Sequence, residues 1–334
     1  MFKQLDAEFE KYFNEFENVS KLQRLLDKDS NEIVKDFVNM VESNLRVDYN
    51  IKNSFRPGVP HKVHSFQWNQ KFAYVFKVHK AEFEKRAVTM EFEVPLYSRS
   101  IATEDGTIYL IGGCNKKRNE YLKKCYKYDN IFGAMEEQAQ MIFPHADHSL
   151  VAIGGFIYVV GTFVNSQVYG ICEVYDTQKN EWKQIDNLRV ARSGVALSAF
   201  QNNYIFAFGG RSDKDRIEDT IECYSIAKNI WQEVQVDKTN WIAGYMSLAY
   251  QITANEIMIF GGKSALTSQI FNGCFVFDTQ TMEIHEKGKL VNPCSFMNTP
   301  LVFGGNLYAF GNDPYIHKYK IAEQEWVCIP KAFP

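Results

Sequence analysis

The residues of this 334-residue chain that could do chemistry are seven cysteines, seven histidines, a Gly-Gly-Lys-Ser run and a few clustered acids. The Gly261-Gly262-Lys263-Ser264 run resembles the end of a phosphate-binding loop. That loop needs a glycine five residues before its second glycine, where this chain has Ile257, and a helix whose N-terminus faces the phosphate, where this chain continues as a strand. His61/His64 and His145/His148 are spaced i, i+3, which on a strand points the rings to opposite faces, so surface or loop histidines are expected and not a shared metal. Cys125, Cys172 and Cys274 fill the same slot of a repeat, with Cys223 two residues later in its unit. Equivalent slots of successive units lie much farther apart than a Zn–S bond of ~2.3 Å allows, so these cysteines read as small buried apolar residues. Asp213/Asp215 and Glu218/Asp219 alternate with Lys214 and Arg216 and read as a solvated loop. Gly-x-Ser-x-Gly, His-Glu-x-x-His and EF-hand patterns are absent. The expectation is no catalytic residue, no metal, no cofactor and no enzyme activity.

The elements that would position these residues recur with a fixed period. IYLIGG, IYVVGT, IFAFGG, IMIFGG and LYAFGN place their first glycines at 112, 161, 209, 261 and 311, in steps of 49, 48, 52 and 50 residues. A period near fifty residues marks an array of supersecondary units. Each window is an unbroken apolar run, as expected of a strand covered on both faces. About fifteen residues on comes a second strand (CYKYD, CEVYD, IECYS, CFVFD, IHKYK). A large residue follows each: Met135, Trp182, Trp231, Ile284 and Trp326. An earlier strand, clearest in SLVAI and ARSGVALSAF, brings each unit to four strands, and residues 61–97 read as a degenerate sixth unit without the glycine pair.

A glycine pair closing an apolar strand, then a tyrosine, then a tryptophan resembles the kelch repeat. Gly112-Gly113, Gly209-Gly210 and Gly261-Gly262 match the pair, and Tyr128, Tyr175, Tyr224 and Tyr319 match the tyrosine. The resemblance implies a mainly β fold, a six-bladed propeller of four-stranded sheets over residues 61–334. The blades would be 61–97, 98–141, 142–188, 189–237, 238–290 and 291–334. It also implies a binding face built from the loops between second and third strands and those joining blades. On that face Arg99, His145, Arg192 and Arg211 are the candidate partner-binding residues, and the three arginines are suited to gripping an acidic peptide segment. A protein interaction scaffold is the leading function. A propeller enzyme of the sugar mutarotase or oxidase kind is the alternative, as is a ubiquitin-ligase substrate receptor lacking a BTB domain.

Residues 1–50 differ in kind. Phe2, Leu5, Phe9, Tyr12, Phe16, Val19, Leu26, Ile33 and Phe37 recur at alternating steps of three and four, a heptad stripe broken near Asp27–Ser30. This predicts a coiled-coil-like helical segment for docking or self-association, joined by a Pro/Gly-bearing linker at 51–60. The net charge is −3, with seven Lys/Arg against eleven Asp/Glu in residues 1–50, so the remainder is close to neutral and carries no nucleic-acid footprint. No apolar run approaches the ~18 residues of a membrane span, the first residues do not resemble a signal peptide, and the odd cysteine count argues for a reducing compartment. A cytoplasmic location, in contact with the cytoskeleton or another large assembly, is expected.

Overall fold

The computed structural model describes residues 62–331, apart from residue 67, residues 78–81, 88–91, 130–133, 214–215 and 238–240, and residue 297. The chain divides into two compact units, Met1–Asn53 and Ser54–Pro334. The helical stripe of residues 1–50 and the linker at 51–60 lie outside the described residues.

The unit from Ser54 is mainly β. Five antiparallel four-stranded sheets, each contiguous in sequence, are the blades of a propeller. Their innermost strands are Arg99–Ala102, Ser149–Ile153, Ala196–Phe200, Leu248–Gln251 and Leu301–Phe303. The innermost strands of the first four blades adjoin in order around the axis, and Ser100 Oγ donates to Asn298 Oδ1 (3.1 Å), tying the first blade to the segment that leads into the fifth.

Among the described residues the expectation of six four-stranded blades is corrected to five. Residues 62–87 form a three-stranded sheet of Lys62–Phe66, Phe72–Lys77 and Glu82–Ala87. Backbone bonds identify what it lacks. Met141, Leu188 and Leu290 each donate an N–H to the carbonyl two residues before the equivalent third-strand cysteines Cys125, Cys172 and Cys274 (Lys123, Gly170, Asn272), and Val94 donates in the same way to Gln70, two residues before Phe72. Phe72–Lys77 therefore occupies the third-strand place, and the place missing among the described residues is the innermost one. Phe66 and Ala73 of this sheet bury against Leu110, Tyr126 and Tyr128 of the first blade.

Burial explains the apolar strands. Ile157, Val159 and Val160 are fully buried in the second blade, as are Ile205 and Ala207 in the third. Both faces are covered because alternate residues enter different inter-blade clusters: Ile157 and Val159 pack toward the first blade, Tyr158 and Val160 toward the third. The repeated tryptophans sit in these seams. Trp231 is fully buried between the second and third blades, tilted against Tyr224 at 5.2 Å. Trp326 fills the seam between the fourth and fifth. Trp182 is half-buried, stacked on Tyr175 at 4.9 Å, and its Nε1–H reaches back to Ala139 O (2.9 Å).

Truncating a wholly buried tryptophan costs about 3–5 kcal/mol, part transfer and part cavity. Trp231→Ala is expected to lower the thermal midpoint steeply and Trp182→Ala by clearly less. Differential scanning calorimetry of the two variants checks the order, and equal shifts would contradict it.

Candidate functional site

The loops that join the blades converge with those between second and third strands at one end of the propeller. Tyr97, Asp147, Gly194 and Met246 take equivalent places just before an innermost strand, all with φ between 54° and 60°. Each is linked to the next by backbone: Asp147 N–H to Tyr97 O (3.0 Å), Gly194 N–H to Asp147 O (2.8 Å), Met246 N–H to Gly194 O (2.9 Å) and Phe296 N–H to Met246 O (2.9 Å). These bonds run from blade to blade around the channel mouth.

Two residues earlier, a carbonyl in each loop meets the glycine motif of the preceding blade. Gly113 donates to His145 O (2.7 Å), Gly210 to Gly244 O (2.9 Å) and Gly262 to Cys294 O (2.7 Å). The first glycine of each pair has no room for a side chain: a Cβ on Gly112 would lie 2.2 Å from His145 O, and one on Gly209 2.3 Å from Gly244 O. Their φ values near +61° are open to glycine without strain.

The structure does not assemble the four candidate binding residues into one exposed row. Arg192 is fully buried: its guanidinium donates to Glu222 Oε1 (2.9 Å), Gly209 O (3.1 Å) and Thr220 O (2.6 Å). Glu222 also accepts the backbone N–H groups of Arg189 and Val190. His145 holds the same place one blade earlier, with Nε2 3.1 Å from Glu173 Oε1 and Nδ1 3.1 Å from Gly161 O, and Glu173 accepts from Ile142 and Phe143 N–H. Partner contact through Arg192 or His145 is therefore corrected to an internal role: both brace a lead-in loop against the third strand of its own blade. Arg99 is nearly buried and donates to Asp147 Oδ1 (3.1 Å) and His148 O (2.9 Å). Asp147 Oδ2 takes the hydroxyls of Ser193 (3.0 Å) and Tyr245 (2.5 Å), so this carboxylate joins residues from four blades. Burial first, then the neighbouring Asp147 charge, pushes the Tyr245 hydroxyl far up.

Arg211 stays at the loop face. It is half-buried, its guanidinium lying 4.8 Å from the Phe163 ring centroid and 5.2 Å from that of Tyr245. Leu266 and Ile270, on the corresponding loop of the fourth blade, are exposed large apolar residues, Leu266 at 76 %. Beneath the mouth lies a cavity of about 40 Å³, lined in part by Arg99, Ser149, Met246, Ser247 and Asn298.

His148 and His145 are both buried, not surface residues as expected, and their rings meet edge to face at 5.8 Å. Cys125, Cys172 and Cys274 lie fully buried in three separate clusters, and burial pushes the thiols of the last two up to about 12. Among the described residues one donor group does converge: Cys294, Asp313 and His317 in the fifth blade. Sequence reasoning missed it because it compared cysteines of like position, whereas these three come from a lead-in loop, a second-to-third-strand loop and a third strand.

A sequence profile of the KLHDC2/KLHL20/DRC7 kelch-repeats domain matches residues 64–245, more than half of the chain. The chain belongs to the kelch-repeat family. It is similar to Kelch-like protein 13 of Homo sapiens, 29 % identical over 129 residues that cover 37 % of this chain and 19 % of that protein. It is also similar to Kelch-like protein 25 of Xenopus tropicalis, 27 % identical over 184 residues, 52 % of this chain and 30 % of that one. F-box/kelch-repeat protein At1g67480 of Arabidopsis thaliana is 29 % identical over 116 residues, 34 % of this chain and 31 % of that one. These kelch relatives are thus matched over less than a third of their own length.

Burial, reinforced by His145 and Arg99, holds the His148 imidazole well below its usual range. Its folded pKa lies under the unfolded value of about 6.5, so below that pH the unfolded chain binds a proton the folded chain does not. Stability contributed by neutral His148 is present above pH ~6.5 and is lost as the pH falls further. Urea midpoints measured from pH 7.5 to 5 should fall less steeply for His148→Phe than for the parent, and identical slopes would contradict the assignment.

Proposed function

We propose that this propeller is a non-catalytic protein-recognition module whose partner docks on the face carrying the second-to-third-strand loops. Arg211 carries the reading: a guanidinium at that face, 4.8 Å from the Phe163 ring centroid and 5.2 Å from that of Tyr245, is of the kind that captures a carboxylate by paired hydrogen bonds. The exposed Leu266 and Ile270 add apolar contact nearby in the array. An acidic peptide segment of another protein fits both. Arg99 belongs to the mouth of the same face and acts there by fixing Asp147.

In this reading the stripe from Phe2 to Phe37 docks the chain on an assembly or on a second copy through helices in residues 1–50, joined to the propeller by the linker at 51–60. Seven free cysteines support a reducing compartment, and no helix of the described residues is long and apolar enough to cross a membrane. A second reading, a ubiquitin-ligase substrate receptor, is supported by the likeness to an F-box/kelch-repeat protein.

Leu266→Glu is expected to leave the melting temperature within a degree or two, because surface changes stay within about 0.5 kcal/mol. Together with Arg211→Ala it should weaken partner capture at least ~10-fold, the scale of one interface residue worth about 1.4 kcal/mol. Isothermal titration against the captured partner measures this, and parent-like affinity in both variants would remove the face from the reading. Deleting residues 1–56 should leave a folded propeller and abolish assembly by light scattering; a chain that precipitates would place those residues in the propeller core instead.

A further inference from the structure

We propose that Cys294, Asp313 and His317 form a binding site for one divalent transition-metal ion, zinc by the character of the donors. In the second and third blades the lead-in loop and the third strand are locked by His145–Glu173 and Arg192–Glu222. In the fifth blade Cys294 stands where His145 and Arg192 stand, and His317 pairs with Ala309 at the register that pairs Glu173 with Val159 and Glu222 with Ala207. The charged lock is replaced there by a thiol and an imidazole, with a carboxylate brought in from the adjoining loop. Donor atoms of the three lie within 4.8 Å of one another. Cys294 Sγ is 3.3 Å from Asp313 Oδ1, and His317 Nε2 is 2.9 Å from Asp313 Oδ2.

Three further features suit an ion. Sulfur, nitrogen and oxygen donors in one small set are the ligands zinc takes, and one thiolate with one carboxylate cancels its double charge, as a buried site requires. Cys294 and His317 are almost wholly buried, and Asn312 Oδ1, 3.6 Å from Cys294 Sγ, stands beside a fourth position. The other ring nitrogen of His317 faces Cys328 Sγ at 3.9 Å, the outer partner that fixes a ligating imidazole. Gly311 makes room: a Cβ there would lie 1.9 Å from Cys294 Sγ, and unlike Gly112 or Gly209 this glycine does not have a positive φ, so what it supplies is space for the sulfur.

Without the ion, burial and the Asp313 charge push the Cys294 thiol up to about 12, and the cluster is a hydrogen-bonded one. Binding exchanges the Cys294 thiol proton for the metal and releases it to solvent, and the proton that His317 Nε2 shares with Asp313 moves to Nδ1, facing Cys328, so that Nε2 can ligate. The ion then clamps the lead-in loop, the second-to-third-strand loop and the third strand of the fifth blade, the work the buried ion pair does in the third.

The test is titration of the purified full-length chain, freed of metal under reducing conditions, with cobalt(II) and then zinc(II). One equivalent of cobalt is expected to give a near-ultraviolet thiolate-to-cobalt band that zinc abolishes. Cys294→Ser should lose the band, and His317→Gln and Asp313→Asn should weaken cobalt binding about tenfold or more. If Cys294→Ser does not fold, the other two variants decide. A folded parent chain without the band, a band that survives in Cys294→Ser, or His317→Gln and Asp313→Asn chains that titrate like the parent would overturn the proposal.

Discussion

The propeller depends on one close approach repeated at successive blade junctions: the carbonyl of a lead-in loop seated where a side chain would be on the last glycine turn of the blade before it. At Gly112 and Gly209 the next loop's oxygen lies 2.2 and 2.3 Å from the place of the missing Cβ. That contact sets how near the second strand of one blade comes to the loop of the next, and so the depth of the seam that Trp231 and Trp326 fill. An alanine at either glycine would have to move backbone, which does not yield as a flexible side chain does.

Buried polar groups at the loop end are tolerated because each closes several accounts at once. Glu222 receives two backbone N–H groups of the 189–190 turn as well as the Arg192 guanidinium. Burying such a pair is expensive, and removing one member of it more so. The fourth blade shows the apolar alternative at the same register: Phe275 takes the carboxylate's place, Gly244 that of the arginine, and Ser247 Oγ donates to Gly261 O (2.6 Å) as Arg192 does to Gly209 O. Exchange between these solutions from blade to blade leaves the backbone course unchanged, which is why a single architecture carries such different side chains.

The repeat was readable in the sequence wherever the backbone forbids alternatives. Glycines under a carbonyl, strands covered on both faces and tyrosines that hold the asparagine of the next turn, as Tyr175 holds Asn180 and Tyr224 holds Asn229, recur in type as well as in place. The channel mouth was not readable. Tyr97, Asp147, Gly194 and Met246 share no chemistry because their common task is done by N–H and C=O groups, and period-based reading of side chains is blind to that. Arg192 and His145 were placed correctly in the blade order but misread in role, since an arginine before a strand looks the same in sequence whether it faces water or a buried glutamate. That the innermost strand beside Lys62–Phe66 is missing among the described residues emerged only from backbone hydrogen bonds.

Because every four-stranded blade is contiguous in sequence, nearly all of its pairing is between close neighbours in the chain, and each blade can form as soon as its own fifty or so residues exist. The bond from Ser100 to Asn298 spans 198 residues and is of another kind. Its loop-closure entropy is met only after the first four blades and the segment leading into the fifth have been made. During synthesis the growing array is therefore an open arc with an uncovered flank, and the order of ribosomal emergence, more than any single contact, decides when that flank is first covered.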